Sequence, residues 1–200
     1  MNQNLDLDPF WWEAAPRREL DEKPLPTETD VAIVGSGFAG SSAGLVLARA
    51  GRKVTVLEKD RPGEGASSRN GGIASGNLRM TFGTMIKTYG VERAKAIYSE
   101  GFRAREDLKR FVEHENIECD YGEVGRWTGA NRPKHYESQA READFINEHF
   151  DTGVYMVAKA DQHSEIGSDL YFGGQIRPDI HGVHPGKLHH GILARAMEAG

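Results

Sequence analysis

An α/β fold organised around one parallel βαβ unit is predicted by three observations between Val31 and Lys59. A short β-rich apolar run, VAIV, opens the stretch at Val31 and passes directly into GSGFAG. A small-and-apolar helical segment follows, and a second apolar run, KVTVLE, closes the unit at Glu58.

Each piece has a physical reason. VAIV has the composition of a strand buried on both faces of a parallel sheet. Ala43, Leu45, Val46, Leu47 and Ala48 give a helix a continuous small-and-apolar face, and Gly51 stands where such a helix ends. In GSGFAG, Gly35 permits a tight turn, Gly37 lets the backbone approach a pyrophosphate, and Gly40 allows close packing of helix on strand. Free N–H groups at the helix start would face the anion. Glu58 ends the second strand, where a carboxylate accepts hydrogen bonds from both ribose hydroxyls. Dinucleotide binding is the reading that uses all of these residues. The plainer alternative is a structural βαβ unit whose glycines only save space.

The identity of the dinucleotide rests on RPGEGASSRNGGIASGN, residues 61–77. A nicotinamide-binding domain usually continues from its second strand into another amphipathic crossover helix. That periodicity is absent here. Instead Gly63, Gly65, Gly71, Gly72 and Gly76 alternate with Ser67, Ser68, Arg69 and Asn70, a pattern suited to backbone wrapped closely on a ligand rich in acceptors. A flavin with its ribityl chain and ring carbonyls is such a ligand, and a flexible surface linker is the bland alternative.

Composition narrows the classes further. The chain has 200 residues, 38% of them hydrophobic, enough for one domain or one and a part. A net charge of -5 with no dense Lys/Arg block argues against nucleic acid as a partner. A single cysteine, Cys119, forms no intrachain disulfide, and the start MNQNLDLDPF lacks the basic and apolar regions of a secretory signal. The expected location is cytoplasmic, with no membrane span, since no apolar window nears the roughly 20 residues required.

The expected organisation is an N-terminal arm over residues 1–30, a cofactor-binding unit over 31–80, a helical and substrate-side region over 81–180, and a return segment over 181–200. Within the arm, Phe10, Trp11 and Trp12 are the strong apolar group, either docking the arm on its own domain or meeting another protein. Val91, Ala94, Ile97, Tyr98, Leu108, Phe111 and Val112 mark one buried stripe of a helix over 90–115. IECDYGEVGRWTGA alternates enough for one or two short strands, and a second helix is due after Pro133. Strands near Val154–Ala158 and Leu170–Gly173 would begin an antiparallel sheet. Trp127 and Tyr171 are pocket, core or rim aromatics. His181, His184, His189 and His190 lack a carboxylate or thiolate pair at ligand spacing, so no metal site is expected.

At GASSRNGG, together with Val31–Lys59 and the FWWEAAP of the arm, the sequence resembles the FAD-dependent amine and amino-acid oxidoreductases of the D-amino acid oxidase superfamily. It is most similar to the bacterial γ-glutamylputrescine oxidase branch. The similarity thins over residues 80–170 and returns at HPGKLHHGILARAMEAG. The resemblance implies a Rossmann-like FAD-binding unit with part of a mixed α+β substrate domain. It places Gly35, Ser36, Gly37 and Gly40 at the FAD pyrophosphate, Glu58 at the adenosine ribose, and Lys59 beside the adenine. Ser67, Ser68, Arg69, Asn70, Gly71 and Gly72 would line the approach to the flavin ring. Such enzymes move a hydride from the carbon bearing nitrogen to the flavin and leave an imine that hydrolyses.

The resulting expectation is an FAD-dependent oxidoreductase acting on a small amine or amino acid, with oxygen or another electron acceptor as second partner. A nicotinamide-linked dehydrogenase and a nucleotide-binding module without turnover are the alternatives. The residues single out no catalytic side chain. The helix-ending pattern ILARAMEAG stops where another strand is due, so the fold is expected to be incomplete over these residues and not to turn over alone.

Overall fold

A computed structural model describes residues 7–200, so the first six residues of the 1–30 arm, and with them much of the segment read for a secretory signal, lie outside the described residues. The chain forms two compact units. One gathers the chain up to Gly72 with Arg110–Tyr121 and Val183–Gly200; the other comprises Ile73–Lys109 and Gly122–Gly182.

In the first unit, β1 (Val31–Val34) pairs in parallel with β2 (Val54–Leu57), Val31 opposite Val54 and Val34 opposite Leu57. Helix α2 (Phe38–Arg49) connects them after a one-turn helix α1 (Trp11–Ala14) in the arm. The end of α2 is closed by paired bonds: Gly51 N–H donates to Ala48 O at 2.8 Å and Arg52 N–H to Leu47 O at 3.1 Å. This pairing needs a left-handed residue, and Gly51 supplies it at φ +77°. Helix α6 (Pro185–Ala199) packs along α2 and α1. Both helices are tied to buried Glu115, whose carboxylate takes Arg49 at 2.6 and 2.8 Å while its carbonyl takes Arg195 at 2.8 and 3.0 Å. The Arg49 guanidinium, joined by His114, overcomes burial and holds the Glu115 carboxyl down at about 2.

The expectation that β1 is buried on both faces is corrected here. Val34 is 88% exposed, and Val56 and Leu57 are exposed as well. Among the described residues the sheet has two strands, and α2 shields only the side carrying Ile33, Val54 and Val56, the residues that a Cβ at Gly44 would touch.

The second unit holds a two-residue strand β3 (Ile73–Ala74), helices α3 (Phe82–Tyr89), α4 (Val91–His114, whose last turn lies in the first unit) and α5 (Pro133–Asn147), and strands β4 (Arg126–Gly129), β5 (Tyr155–Val157), β6 (Gly174–Arg177) and β7 (His181–Gly182). β4, β6 and β5 form an antiparallel sheet with β6 central, and β3 pairs antiparallel with β7. Phe82, Met85, Ala94, Tyr98, Ala143, Ile146 and Val154 make the core, with Phe150 against Phe82 and Tyr98 at 4.9 and 5.3 Å.

Two details of the sequence reading change in this unit. Val91, assigned to the buried stripe of the long helix, is 41% exposed. The strand expected at Leu170–Gly173 lies at Gly174–Arg177: Phe172 N–H and Gly173 O already bond Ala130 at 2.8 and 2.9 Å, but Gly173 turns the chain at φ +83° and the regular ladder with β4 and β5 starts at Gly174. Trp127 and Tyr171 meet edge to face at 6.3 Å over a strip of glycine, where a Cβ at Gly174 or Gly129 would strike one ring or the other. Among the described residues no helix is long and apolar enough to cross a membrane.

The contact of α2 with β1 is the tightest in the first unit. A Cβ at Gly40 would lie 1.9 Å from the Gly35 carbonyl oxygen, whereas one at Gly44 would meet Val56 at an ordinary 3.4 Å. Gly40→Ala is therefore expected to destabilise the protein by about 3 kcal/mol. Gly44→Ala should be neutral or stabilising by up to about 1 kcal/mol through helix propensity. Urea midpoints of the two variants check the contrast.

Candidate cofactor site

The GSGFAG turn is held from three sides through one residue. Ser36 is buried, and its N–H and hydroxyl donate to Glu58 Oε2 at 2.8 and 2.7 Å. Its carbonyl accepts the Ser41 hydroxyl at 2.8 Å and His189 Nε2–H at 2.6 Å. Glu58, just past β2, also accepts the N–H groups of Lys59 at 2.9 Å and Asp60 at 3.2 Å through Oε1. Partial burial works to raise the Glu58 pKa, but the bonds from Ser36, Asp60 and Lys59 outweigh it and bring it down to about 2. Glu58 is thus an anion at any physiological pH.

The three glycines of the turn differ in what the fold asks of them. Gly35 sits at φ +93°, a conformation that only glycine adopts without strain. Gly40 is fixed by packing. Gly37 caps α2 at φ -68°, which any residue tolerates, and a Cβ there would meet only the Ser67 hydroxyl at 2.9 Å. That hydroxyl accepts the Phe38 N–H at the start of α2, at 2.9 Å. The turn, the start of α2, Glu58 and Ser67 therefore converge, forming a cradle at the helix N-terminus with a fixed carboxylate beside it and the Phe38 N–H taken by Ser67.

The other residues singled out from the sequence divide. Lys59 points to solvent, 88% exposed, and pairs with Asp60 at 3.3 Å. Ser67 and Ser68 end a 3₁₀ turn over Ala66–Ser68, but their hydroxyls face different ways. The Ser68 hydroxyl donates to Gly63 O at 2.6 Å and accepts Trp12 Nε1–H at 2.8 Å. Arg69 turns back to Glu64, and Asn70 folds onto its own loop through Ala66 O, Ser67 O and the Gly72 N–H. Gly71 is exposed, while Gly72, at φ +68°, lies against Val183 where a Cβ would come within 2.4 Å of the carbonyl.

Two contributions escape a reading of the sequence. His189 supports the turn from α6, its ring filling the space that a side chain at Gly63 would need. Burial, and then Arg18, push its pKa down against the Ser36 bond, so the ring is neutral and donates through Nε2. The second is the arm: the Trp12 ring carries the guanidinium groups of Arg17 and Arg69 over it, 4.0 and 4.3 Å from its centroid. The adjacent HH pair of HPGKLHHG and the FWW of the arm are the signals available, and neither shows its partner. Among the described residues there is no group of three or more His, Cys, Asp or Glu able to hold a metal ion.

Two acid-side limbs of stability follow from the titrating groups. His190 is pushed down from 6.5 to about 4 by burial and Arg18, so what its neutral form contributes is present above about 6.5 and is lost as pH falls toward 4. Glu58 is depressed from 4.5 to about 2, so its contribution is present above about 4.5 and is lost as pH falls toward 2. Denaturation of wild type, His190→Asn and Glu58→Gln across pH 7 to 2 should show the first variant flattening the upper limb and the second the lower. Solvent around Glu58 keeps the lower limb shallow.

Comparison with known proteins fits this geometry. Residues 30–200 match the family described as FAD dependent oxidoreductase. The γ-glutamylputrescine oxidoreductase of Escherichia coli is 30% identical over 156 residues, covering 78% of this chain and 36% of that protein. Glycine oxidase from Geobacillus kaustophilus superposes with a TM-score of 0.68 at 23% identity, over 86% of this chain and 45% of that one. L-amino acid deaminase from Proteus vulgaris gives 0.68 at 18% identity, over 92% and 46%. The chain thus spans less than half the length of each of these proteins.

Proposed function

The chain belongs to the FAD-dependent oxidoreductase family, and from that premise we propose that it serves the oxidation of an amine or amino acid with FAD as the bound cofactor. The observation that carries the cofactor assignment is Gly37. Its backbone angles demand no glycine, and the Ser67 hydroxyl bonded to the Phe38 N–H is the one nearby side-chain group a Cβ there would press on; a ligand that approaches the backbone there supplies the further reason for glycine.

The residues fit FAD in a definite way. Gly35, Ser36, Gly37 and Gly40, with the first N–H groups of α2, would hold the pyrophosphate. Glu58 would accept the ribose hydroxyls, which compete with the Ser36 hydroxyl for Oε2. Lys59 is free to swing beside the adenine, being exposed. Ser67 and the backbone of Asn70, Gly71 and Gly72 would line the approach to the flavin ring, with Ser68 and Arg69 holding that loop in place through Gly63, Glu64 and Trp12. When bound, FAD supplies a two-electron acceptor for a hydride leaving the carbon that bears the nitrogen.

The protein's part is alignment and charge. The anionic Glu58 and the positive end of α2 sort the two ends of the adenosine diphosphate moiety. His189 stays neutral behind the turn, so no cation competes there for the phosphate. A γ-glutamylputrescine-like amine is the substrate type favoured by the Escherichia coli relative. Oxygen or another acceptor would take up the electrons. With its one cysteine, Cys119, buried, the proposed location is the reducing cytoplasm.

The full-length protein is expected to purify with an isoalloxazine spectrum that bleaches on anaerobic addition of a substrate amine; a colourless protein with no affinity for FAD overturns the proposal. Glu58→Ala should weaken FAD binding roughly tenfold, through loss of charged hydrogen bonds. Gly37→Val should abolish binding, because a side chain removes the approach itself. Flavin titration of the apoprotein measures both, and equal losses in the two variants would contradict the assignment.

A further inference from the structure

The arm carries an arrangement that cofactor binding alone does not explain. Trp12 is 7% exposed although it belongs to a segment that is otherwise largely solvent-facing. Two guanidinium groups lie over its ring, Arg17 at 4.0 Å and Arg69 at 4.3 Å. One carboxylate, Glu64, fixes both: Arg17 Nη1 reaches its two oxygens at 2.9 and 2.7 Å, and Arg69 Nη2 reaches Oε1 at 2.9 Å. The indole N–H is spent on the Ser68 hydroxyl, and the neighbouring Trp11 donates to Asn70 O at 2.7 Å.

Those contacts fall on the loop that completes the cradle. Ser68 is bonded at once to Trp12 and to Gly63 O, which closes residues 63–68 into a loop. The next residue back, Ser67, is the one whose hydroxyl meets the Phe38 N–H at the start of α2. Gly63, at the other end, rests on His189, which supports Ser36. The arm is therefore mechanically in series with both walls of the cradle while touching neither Gly37 nor Glu58.

We infer that Trp12 is a positioning residue for the flavin: an arm-borne clasp that holds residues 63–72 closed on the cradle and so sets how long FAD stays bound. The inference rests on the FAD assignment made above. It predicts a graded series, because Trp12→Phe keeps an aromatic ring for Arg17 and Arg69 to stack on but loses the bond to Ser68, whereas Trp12→Ala loses both.

In the full-length protein, FAD affinity of the apoprotein and the rate of FAD release from the holoprotein are measured at a temperature well below unfolding. Trp12→Phe should weaken binding by roughly three- to tenfold, the worth of one hydrogen bond, and Trp12→Ala by more, with release faster in the same order. A lower apoprotein melting temperature with unchanged affinity and release rate marks Trp12 as merely structural and overturns the inference. Should Trp12→Ala fail to fold, Glu64→Ala, which removes the carboxylate shared by the two guanidinium groups and leaves the indole in place, must give the same faster release; unchanged release overturns the inference equally. Failure of the underlying assignment reads differently, as a wild-type protein that takes up no FAD.

Discussion

Ser36 is where the architecture of the first unit is decided. Its N–H, hydroxyl and carbonyl make four hydrogen bonds, to Glu58 beyond β2, to Ser41 inside α2 and to His189 on α6. A buried polar residue of this kind is stable only when each of its groups is satisfied, so the three elements must meet at one point with hydrogen-bond accuracy. The close seat of α2 on the end of β1 at Gly40, the Glu115 anchor between α2 and α6, and the glycine at position 63 all serve that convergence.

The charges around the turn follow a consistent plan. Glu58 is stabilised as an anion by main-chain and hydroxyl donors, from Ser36, Lys59 and Asp60. The histidine nearest the turn is held neutral by burial. The positive potential at the start of α2 is therefore supplied by peptide dipoles, which are oriented before any ligand arrives and carry no hydration shell of an ion to remove. The guanidinium groups of Arg17 and Arg69 are kept away from the turn, bound to Glu64 and stacked on Trp12.

What the sequence makes legible is what is local. The βαβ unit can be read from VAIV, GSGFAG and KVTVLE because strand, turn and helix signals lie within a few residues of one another, and Gly51 and Pro133 mark a helix end and a helix start by conformational preference alone. Strand β6 is harder, since its Gln175 and Arg177 look like surface residues. They are buried because Gln175 donates to Gln139 O at 3.1 Å and Arg177 is paired with Asp179, partners that strand periodicity does not reveal. The exposure of Val34 likewise depends on which layers are present and not on the composition of β1. At the candidate site the glycine spacing is visible, while the support from Trp12 and His189 is not, because a tryptophan or histidine in sequence gives no hint of what it will touch.

The bond between Ser36 and His189 joins residues separated by 153 positions, and that between Trp12 and Ser68 by 56. The β1 and β2 pairing needs far shorter loops to close, so the entropy cost of chain closure favours its formation first. During synthesis the turn emerges long before α6, and its Ser36 carbonyl waits for a partner that comes near the end of these residues. A nascent chain therefore has its βαβ scaffold in place while the rear support of the turn is still missing, and the competence of the turn to grip a ligand is a late event in folding even though its signature stands early in the chain.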